Sequence, residues 1–554
     1  MIMHHKNSTA LSNPLMARCL SKVQSFLHEE DGVLAKPMIG TFLAMLAVGG
    51  IGVDLMRMER DRTELQYTLD RAVLAAADLD QSLDADAVVL DYLTKAGLEQ
   101  YYSDPDDQKG LGYKSVEATI DTDFEAYLLK FAGGDNISLY ANSRAEETIG
   151  SVEISMVLDI SGSMNSGNRL VNLQAAAKSF VTQITTNTDV TNLSISIIPY
   201  ATQVNAGKEL LSKYPNVTQE HDYSYCVNFI KDQFSKHTLY QNENLIRTAH
   251  FDTFTYSENM IDRPVCPTRE GSAILPFTND AAKLHAYIDS LTAYGNTSID
   301  IGMKWGSALL DPTARGVVNA LVDDGVIDAS FRNRPTDYGS GDTLKIIILM
   351  SDGQNTNQYM VNESRREGLS NVWYNPDAAH NERIYWNDDL IGVYSVYHSN
   401  GEKNYYWPHL DRWEDHAYGE GSYEPCEGCD PVAEEGGDGL KRLTYQELHA
   451  QVSLAHIARY LYEFSPSAWA DWFTAGRYFH NRVAKDQHTK TICDITKDQG
   501  VIVYSVGFEA PSAGIKVLED CASSPAHFFD VEGLEISDAF SSIATSIRQL
   551  RLTQ

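Results

Sequence analysis

Basic residues are scarce in this chain. Its 554 residues carry 44 Lys and Arg against 76 Asp and Glu, a formal net charge of −32. A surface of that sign repels phosphate and argues against nucleic acid as a partner; it reads as a well-solvated exterior. Catalytic signatures are missing too. No G-x-S-x-G elbow and no H-E-x-x-H pair occurs, which counts against a serine hydrolase or a zinc protease. Charge is absent from Pro37 to Val53, a stretch rich in Leu, Ala, Gly, Met and Phe. With Asp54 at the far interface and Leu55 and Met56 behind it, the stretch just reaches the ~20 residues that span a bilayer. No small-residue cleavage site follows closely: Arg57-Met58-Glu59-Arg60-Asp61-Arg62 comes next, and the nearest alanine cluster is Ala75 to Ala77. The stretch therefore reads as an uncleaved anchor rather than a signal peptide. Lys and Arg are too balanced across it to orient it.

Cysteine is sparse but evenly placed. Cys19 precedes the anchor, and Cys226, Cys266, Cys426, Cys429, Cys493 and Cys521 follow it. An even number on one side fits an oxidising compartment, although buried free thiols are an alternative. Order along the chain suggests Cys226–Cys266, Cys426–Cys429 and Cys493–Cys521. Pro425, Asp430 and Pro431 flank the C-x-x-C segment, and no apolar run precedes it. A structural disulfide is favoured there over a redox pair or half a zinc site.

The most informative segment is Asp159-Ile160-Ser161-Gly162-Ser163, at the end of the apolar run Ile154 to Leu158. Such a run predicts a buried parallel strand, whose carboxyl end is where α/β folds place ligands. Asp159, Ser161 and Ser163 offer only oxygen, which suits a hard divalent cation: Mg²⁺, with Ca²⁺ or Mn²⁺ as alternatives. Neutral hydroxyls leave the ion's charge uncancelled, so it would attract an outside carboxylate. An EF-hand is excluded because Met164 and Leu170 stand where Gly and Glu are required. Ser161 stands where an aspartyl-phosphate enzyme would want its second Asp, so phosphoryl transfer is not expected. Two further pieces lie downstream: Gly295-Asn296-Thr297 at a helix start, and the apolar run Leu344 to Met350 ending in Ser351-Asp352-Gly353.

D-x-S-x-S, then G-x-T, then an apolar strand with S-D-G resembles the metal-ion-dependent adhesion site of von Willebrand factor A domains. The resemblance implies hydroxyl ligands from Ser161, Ser163 and Thr297. It implies that Asp159 and Asp352 bind the ion directly or through water, with a partner's Asp or Glu filling the open position. It also implies a Rossmann-like, doubly wound α/β core. Within that core, helices are expected over about 168–185, 279–292, 298–310 and 537–550, and strands over 193–200, 344–350 and 501–508. Two segments fall outside the pattern, at about 203–275 and 354–484. The second is crowded with rings, such as Tyr405-Tyr406-Trp407 and Trp413. They form either the insertion's own core or a binding surface. Asp415 and His416 read as a lone surface pair.

The whole chain then divides into a cytoplasmic tail (1–36), a transmembrane anchor (37–56), a small α+β module (57–150) and the A-type domain (151–554). Helical spacing of Leu65, Leu69, Ala72 and Ala76, a helix over 85–101 and strand-like runs at 113–120, 124–131 and 137–142 make the module pilin-like. Gly52-Val53-Asp54-Leu55-Met56-Arg57, Leu65-Gln66, Asp70 and Ala75-Ala76-Ala77 resemble the N-terminal signature of TadE/TadG-like pilus-assembly proteins. Ser143-Arg144-Ala145, Ile198-Pro199-Tyr200, Gly302-Met303-Lys304-Trp305-Gly306 and Cys521-Ala522-Ser523-Ser524 agree with the TadG type. That resemblance implies a bacterial inner-membrane protein, single-pass, with its body in the periplasm. It would act in Flp (tight-adherence) pilus assembly by binding pilus or envelope proteins, not as an enzyme. The rival classes are a surface adhesin and a metal-dependent hydrolase.

Overall fold

The computed structural model describes residue 25 and residues 34–552, apart from 79–80, 82, 111–112, 125, 132–136, 149–150, 187–191, 256–260, 340–342 and 381–390. Nearly all of the expected tail, Cys19 included, lies outside the described residues. The chain divides into two units, residues 1–148 and 149–554.

The first unit is built on one 43-residue helix, α1 (Ala35–Ala77). Its first half exposes apolar side chains on all sides, Met38, Phe42, Met45 and Val48 among them. Its second half buries one stripe, Leu65, Leu69, Ala72, Val73 and Ala76. That stripe packs on α2 (Ala85–Lys95) and on an antiparallel sheet of β1 (Asp106–Gly110), β2 (Tyr113–Phe124) and β3 (Ile137–Thr148). α1 is long and apolar enough to cross a membrane. The strand expected over 124–131 does not form. β2 ends at Phe124, and Leu128–Phe131 makes one helical turn, α3. The reason is distant in sequence: Asp54 Oδ2 accepts hydrogen bonds from the amides of Leu128 (2.6 Å) and Leu129 (2.8 Å). A carboxylate there caps a helical turn and takes the donors a strand would need.

The second unit starts with β4 (Ser151–Asp159), α4 (Arg169–Thr186) and β5 (Leu193–Tyr200). It continues through β6 (Leu275–Thr278), α5 (Ala281–Asp289), α6 (Ile299–Ala308) and β7 (Thr343–Ser351). The long insertion supplies β8 (Gln358–Val361), β9 (Leu369–His380), β10 (Ile391–Tyr397), β11 (Tyr405–Trp407), β12 (Arg412–Glu414), β13 (Lys441–Thr444) and β14 (Arg477–His480). The chain then returns as α7 (Arg482–Lys497), β15 (Ile502–Phe508), α8 (Ser512–Cys521), β16 (Phe528–Val531) and α9 (Glu535–Leu552).

The main sheet has the order β16-β15-β7-β4-β5-β6. Every pairing is parallel except β5 with β6. β4 and β7 are buried along nearly their whole length and mostly apolar because both of their faces are covered. α4, α5 and α9 pack on one face through Leu173, Phe180, Leu284 and Phe540. α6, α7 and α8 pack on the other through Trp305, Ile492 and Leu518. α6 lies very close to β4: a Cβ on Gly302 would stand 2.9 Å from Val157, and one on Gly306 2.6 Å from it. These two glycines let the helix start, and the Thr297 loop before it, settle over the end of β4.

The segment expected outside the core at 203–275 is divided: its first part joins the core, while Phe251 and Val265 pack with the second insertion. Val204, Leu210, Tyr214, Phe229 and Phe234 share a cluster with Trp305 and Ile347. The segment interrupts the β5–β6 connection and itself provides apolar cover for that face. The second insertion forms a five-stranded antiparallel sheet, β12-β11-β10-β9-β13, on a ribbon of β8 and β14. Tyr406 and Trp407 are buried, so these rings build the insertion's own core. His416 is no lone surface group. Its Nδ1 meets Asp415 Oδ1 at 2.6 Å and its Nε2 meets Glu434 Oε1 at 2.7 Å. Cys226–Cys266, Cys426–Cys429 and Cys493–Cys521 are disulfide-bonded.

Candidate metal centre

The site forms where β4 and β7 end side by side, Leu158 opposite Met350. Past Leu158 each strand turns outward, carrying Asp159 and Asp352 to the same edge. Asp159 is wholly buried, not on a loop rim. Its Oδ1 accepts from the Ser161 amide at 2.8 Å, which bends the chain into the ligand loop. Its Oδ2 accepts from the Ser351 hydroxyl at 2.6 Å, joining the two strand ends. Ser161 Oγ and Ser163 Oγ are 3.1 Å apart, and Ser163 Oγ donates to Asp352 Oδ1 at 2.7 Å.

The third loop closes over these two. The Gly162 amide donates to Gly295 O at 2.9 Å, and the Tyr294 amide donates to Ile160 O at 2.9 Å. Gly295 has φ +93, and a Cβ there would stand 2.9 Å from Thr202 Oγ1, so the turn needs glycine. Thr297 follows directly. A Cβ on Gly353 would lie 3.5 Å from Thr297 Oγ1 and 3.9 Å from Ser163 Oγ, so both hydroxyls border the same small space. All five residues singled out in the sequence, Asp159, Ser161, Ser163, Thr297 and Asp352, surround it.

Charge is out of balance here. Burial, with the Asp352 carboxylate nearby, raises Asp159 to about 7. Burial also raises Asp352, although Ser163 and Arg169 pull it back. Arg169 Nη1 donates to Asp352 Oδ2 at 2.8 Å and its Nε to Glu509 Oε2 at 2.8 Å. One guanidinium thus faces two carboxylates, and among the described residues Asp159 has no cation of its own beside it. The chemistry of this donor set fits a hard divalent cation: two carboxylates and three hydroxyls, oxygen throughout. Among the described residues, no three or more His, Cys, Asp or Glu side chains gather where they would hold a metal ion. Cys426 and Cys429 are tied to each other, which leaves no thiolate pair for zinc.

Sequence reasoning missed the supports of this centre. Lys485, from the first turn of α7, is fully buried behind the Thr297 loop. Its Nζ donates to Thr297 O and Thr356 O, each at 2.9 Å, and to Ser298 Oγ. Asp300 Oδ1 lies 3.8 Å away. Burial lowers Lys485 to about 8 against the pull of Asp300, so it stays protonated at neutral pH. Thr356 Oγ1 also accepts from the Thr297 amide at 2.9 Å. A lone lysine in a helix carries no mark of such a role in sequence.

No curated protein matches the chain. Among solved structures it is similar to the vWF domain of the type V pili tip protein Mfa5 from Porphyromonas gingivalis. That match has 15% identity and a TM-score of 0.30, covering 73% of this chain and 96% of that one. It is also similar to the pilus adhesin SpaC from Lactobacillus rhamnosus GG (12% identity, TM-score 0.29, 80% of this chain and 33% of that one). The PilB minor pilin from Streptococcus sanguinis matches at 11% identity and a TM-score of 0.27, with 80% of this chain and 77% of that one covered. Residues 32–79, all of α1 included, match the model of the TadE/G-like Flp pilus-assembly family, and the N-terminal unit thus carries a TadE/G-like segment.

Proposed function

We propose that this chain is a membrane-anchored protein that acts in Flp/Tad pilus assembly, binding protein partners through a metal-dependent adhesion site of the von Willebrand factor A type. The observation that carries the reading is the convergence of Asp159, Ser161, Ser163, Thr297 and Asp352 at the ends of β4 and β7 and the loop before α6. When bound there, a hard divalent cation supplies an attachment point for an outside Asp or Glu. Asp159 and Asp352 bring the negative charge that holds it, and the three hydroxyls add neutral oxygens. Arg169 fixes the rotamer of Asp352, and Lys485 fixes the backbone of Thr297. The TadE/G-like segment and the long apolar helix support the anchor and the pilus setting. The three disulfides support an oxidising compartment, in keeping with a body in the periplasm.

Two measurements test this. Purified full chain in detergent should unfold at higher temperature with Mg²⁺ than with chelator, and Asp352→Ala should abolish the difference. An equal response of wild type and variant to Mg²⁺ would overturn the metal assignment. Protease added to spheroplasts should digest the body and spare a short N-terminal fragment; full protection would overturn the periplasmic placement.

A further inference from the structure

The turn after β2 sits in an unusual place. Leu128 packs against Gly50 of α1, where an added Cβ would stand 3.0 Å from Leu128 Cβ. Gly50 is buried within an otherwise exposed apolar stretch, and Val53 and Met56 remain 50% and 76% exposed around it. Charge begins at Asp54, four residues later, and continues at Arg57, Glu59, Arg60, Asp61 and Arg62. At 1.5 Å per residue, Leu128 therefore lies about 6 Å down the helix from the first charge, Asp54, on the apolar side. Tyr127 and Leu128 are themselves exposed.

Two amides of this turn are satisfied without water. The Leu128 and Leu129 amides donate to Asp54 Oδ2. Arg57 Nη1 stands 3.6 Å from Asp54 Oδ1. The Arg57 guanidinium lies 5.6 Å from the Phe124 ring centre and 5.2 Å from that of Tyr127. Such a cap serves a turn in water as well, but in lipid it is required, since each orphan amide there costs several kcal/mol. Tyr127 beside Arg57 matches the aromatic and basic residues that settle at headgroup depth. Lys130, exposed on the next position, has the length to reach the same level.

We propose that the turn Ala126–Leu129 is a second membrane contact, a wedge that enters the leaflet on the body side and fixes the tilt of the N-terminal unit on the bilayer. Leu128 sits in hydrocarbon beside Gly50, Tyr127 lies at the headgroups, and Asp54 is the buried cap that makes the insertion tolerable. The occupant is lipid because the exposed apolar surface of the turn continues that of α1 without a break. The proposal rests on the reading that residues 37–56 cross a membrane.

Depth-dependent quenching tests it in the full chain. In a Cys19→Ser background, an environment-sensitive fluorophore is placed in turn by Tyr127→Cys, Val53→Cys and Tyr67→Cys. The protein is reconstituted in phosphatidylcholine–phosphatidylglycerol vesicles with spin-labelled acyl chains. Tyr67 is as exposed as Tyr127, at 62%, but lies on the charged half of α1. Probes at 127 and 53 should be quenched about twofold or more and the probe at 67 left unchanged. Quenching at 53 with none at 127 would overturn the wedge and leave the anchor standing. No quenching at 53 would overturn the anchor itself. Lys130→Cys, on the exposed side of the same turn, gives the same readout if Tyr127→Cys does not fold.

Discussion

Replacing Lys485 with methionine keeps most of the buried stem and removes only the ammonium. The change strips the hydrogen bonds that hold Thr297 O, Thr356 O and Ser298 Oγ. It also leaves the buried Asp300 carboxylate without the Lys485 ammonium at 3.8 Å, with only the His488 ring, Nδ1 at 3.5 Å, beside it. Removing one partner of a buried pair costs about 3–5 kcal/mol, because the remaining charge stays desolvated. If that loss falls on the local opening of the Thr297 loop, the protection of its amides should drop by roughly a thousandfold, at about 1.4 kcal/mol per tenfold. Hydrogen exchange read at Thr297 and Ile299 in the full chain is the assay. Mg²⁺ affinity should weaken in the same variant, since Thr297 is one of the five residues of the centre. Asp300→Asn added to Lys485→Met should recover part of the protection. If Lys485→Met alone changes exchange less than tenfold, or if the double variant is worse than the single, the bracing argument is wrong.

Other outcomes follow from the same geometry. Asp159→Asn should keep the cation-free fold, since an amide oxygen still accepts from Ser161 or Ser351. It should lose the Mg²⁺-induced stabilisation, worth about 2.7 kcal/mol at a hundredfold excess over Kd; calorimetry with and without chelator checks it. The Cys493→Ala/Cys521→Ala pair opens a bridge across 28 residues between α7 and α8, and should cost about 3–4 kcal/mol in denaturant unfolding, in the chain-entropy model. His416 is raised above 6.5 by hydrogen bonds to Asp415 and Glu434, which outweigh its burial. Its contribution is therefore complete below pH 6.5 and fades as pH rises through the folded value. Wild type should protect the 416–434 segment more than His416→Gln does at pH 6, with the gap closing toward pH 9; a gap that widens with pH would refute the sign.

The ligand loops were readable because their chemistry is local. Asp159, Ser161 and Ser163 alternate in five residues, and β4 and β7 announce themselves as mostly apolar runs since both faces are covered. What escaped notice was brought together over long distances. Arg169, Glu509 and Lys485 reach the centre from three different elements, and each reads alone as a solvated charge. Residues 124–131 look like a strand by apolar content, yet Asp54, 74 residues earlier than Leu128, turns them into a helical cap. Burial of Tyr406 and Trp407 was undecidable from composition, since an aromatic run looks the same in a core as on a binding face.

The two insertions share one interior. Phe251 and Val265, from the first, sit in the same cluster as Val372, Tyr394 and Leu448, from the second. Arg366 reaches back to Glu220, and Arg477 to Thr253. Meanwhile both ends of the second insertion meet in the β8–β14 ribbon, so the core experiences it as a single closed loop, whose entropy cost grows only by about 0.6 kcal/mol per doubling of length. Size is then nearly free to drift, but identity is not. Grafting the second segment alone from a divergent homologue would strand Phe251 and Val265 against a foreign surface. The unit that must stay together is the pair, separated along the chain by the Thr297 loop, α6 and β7.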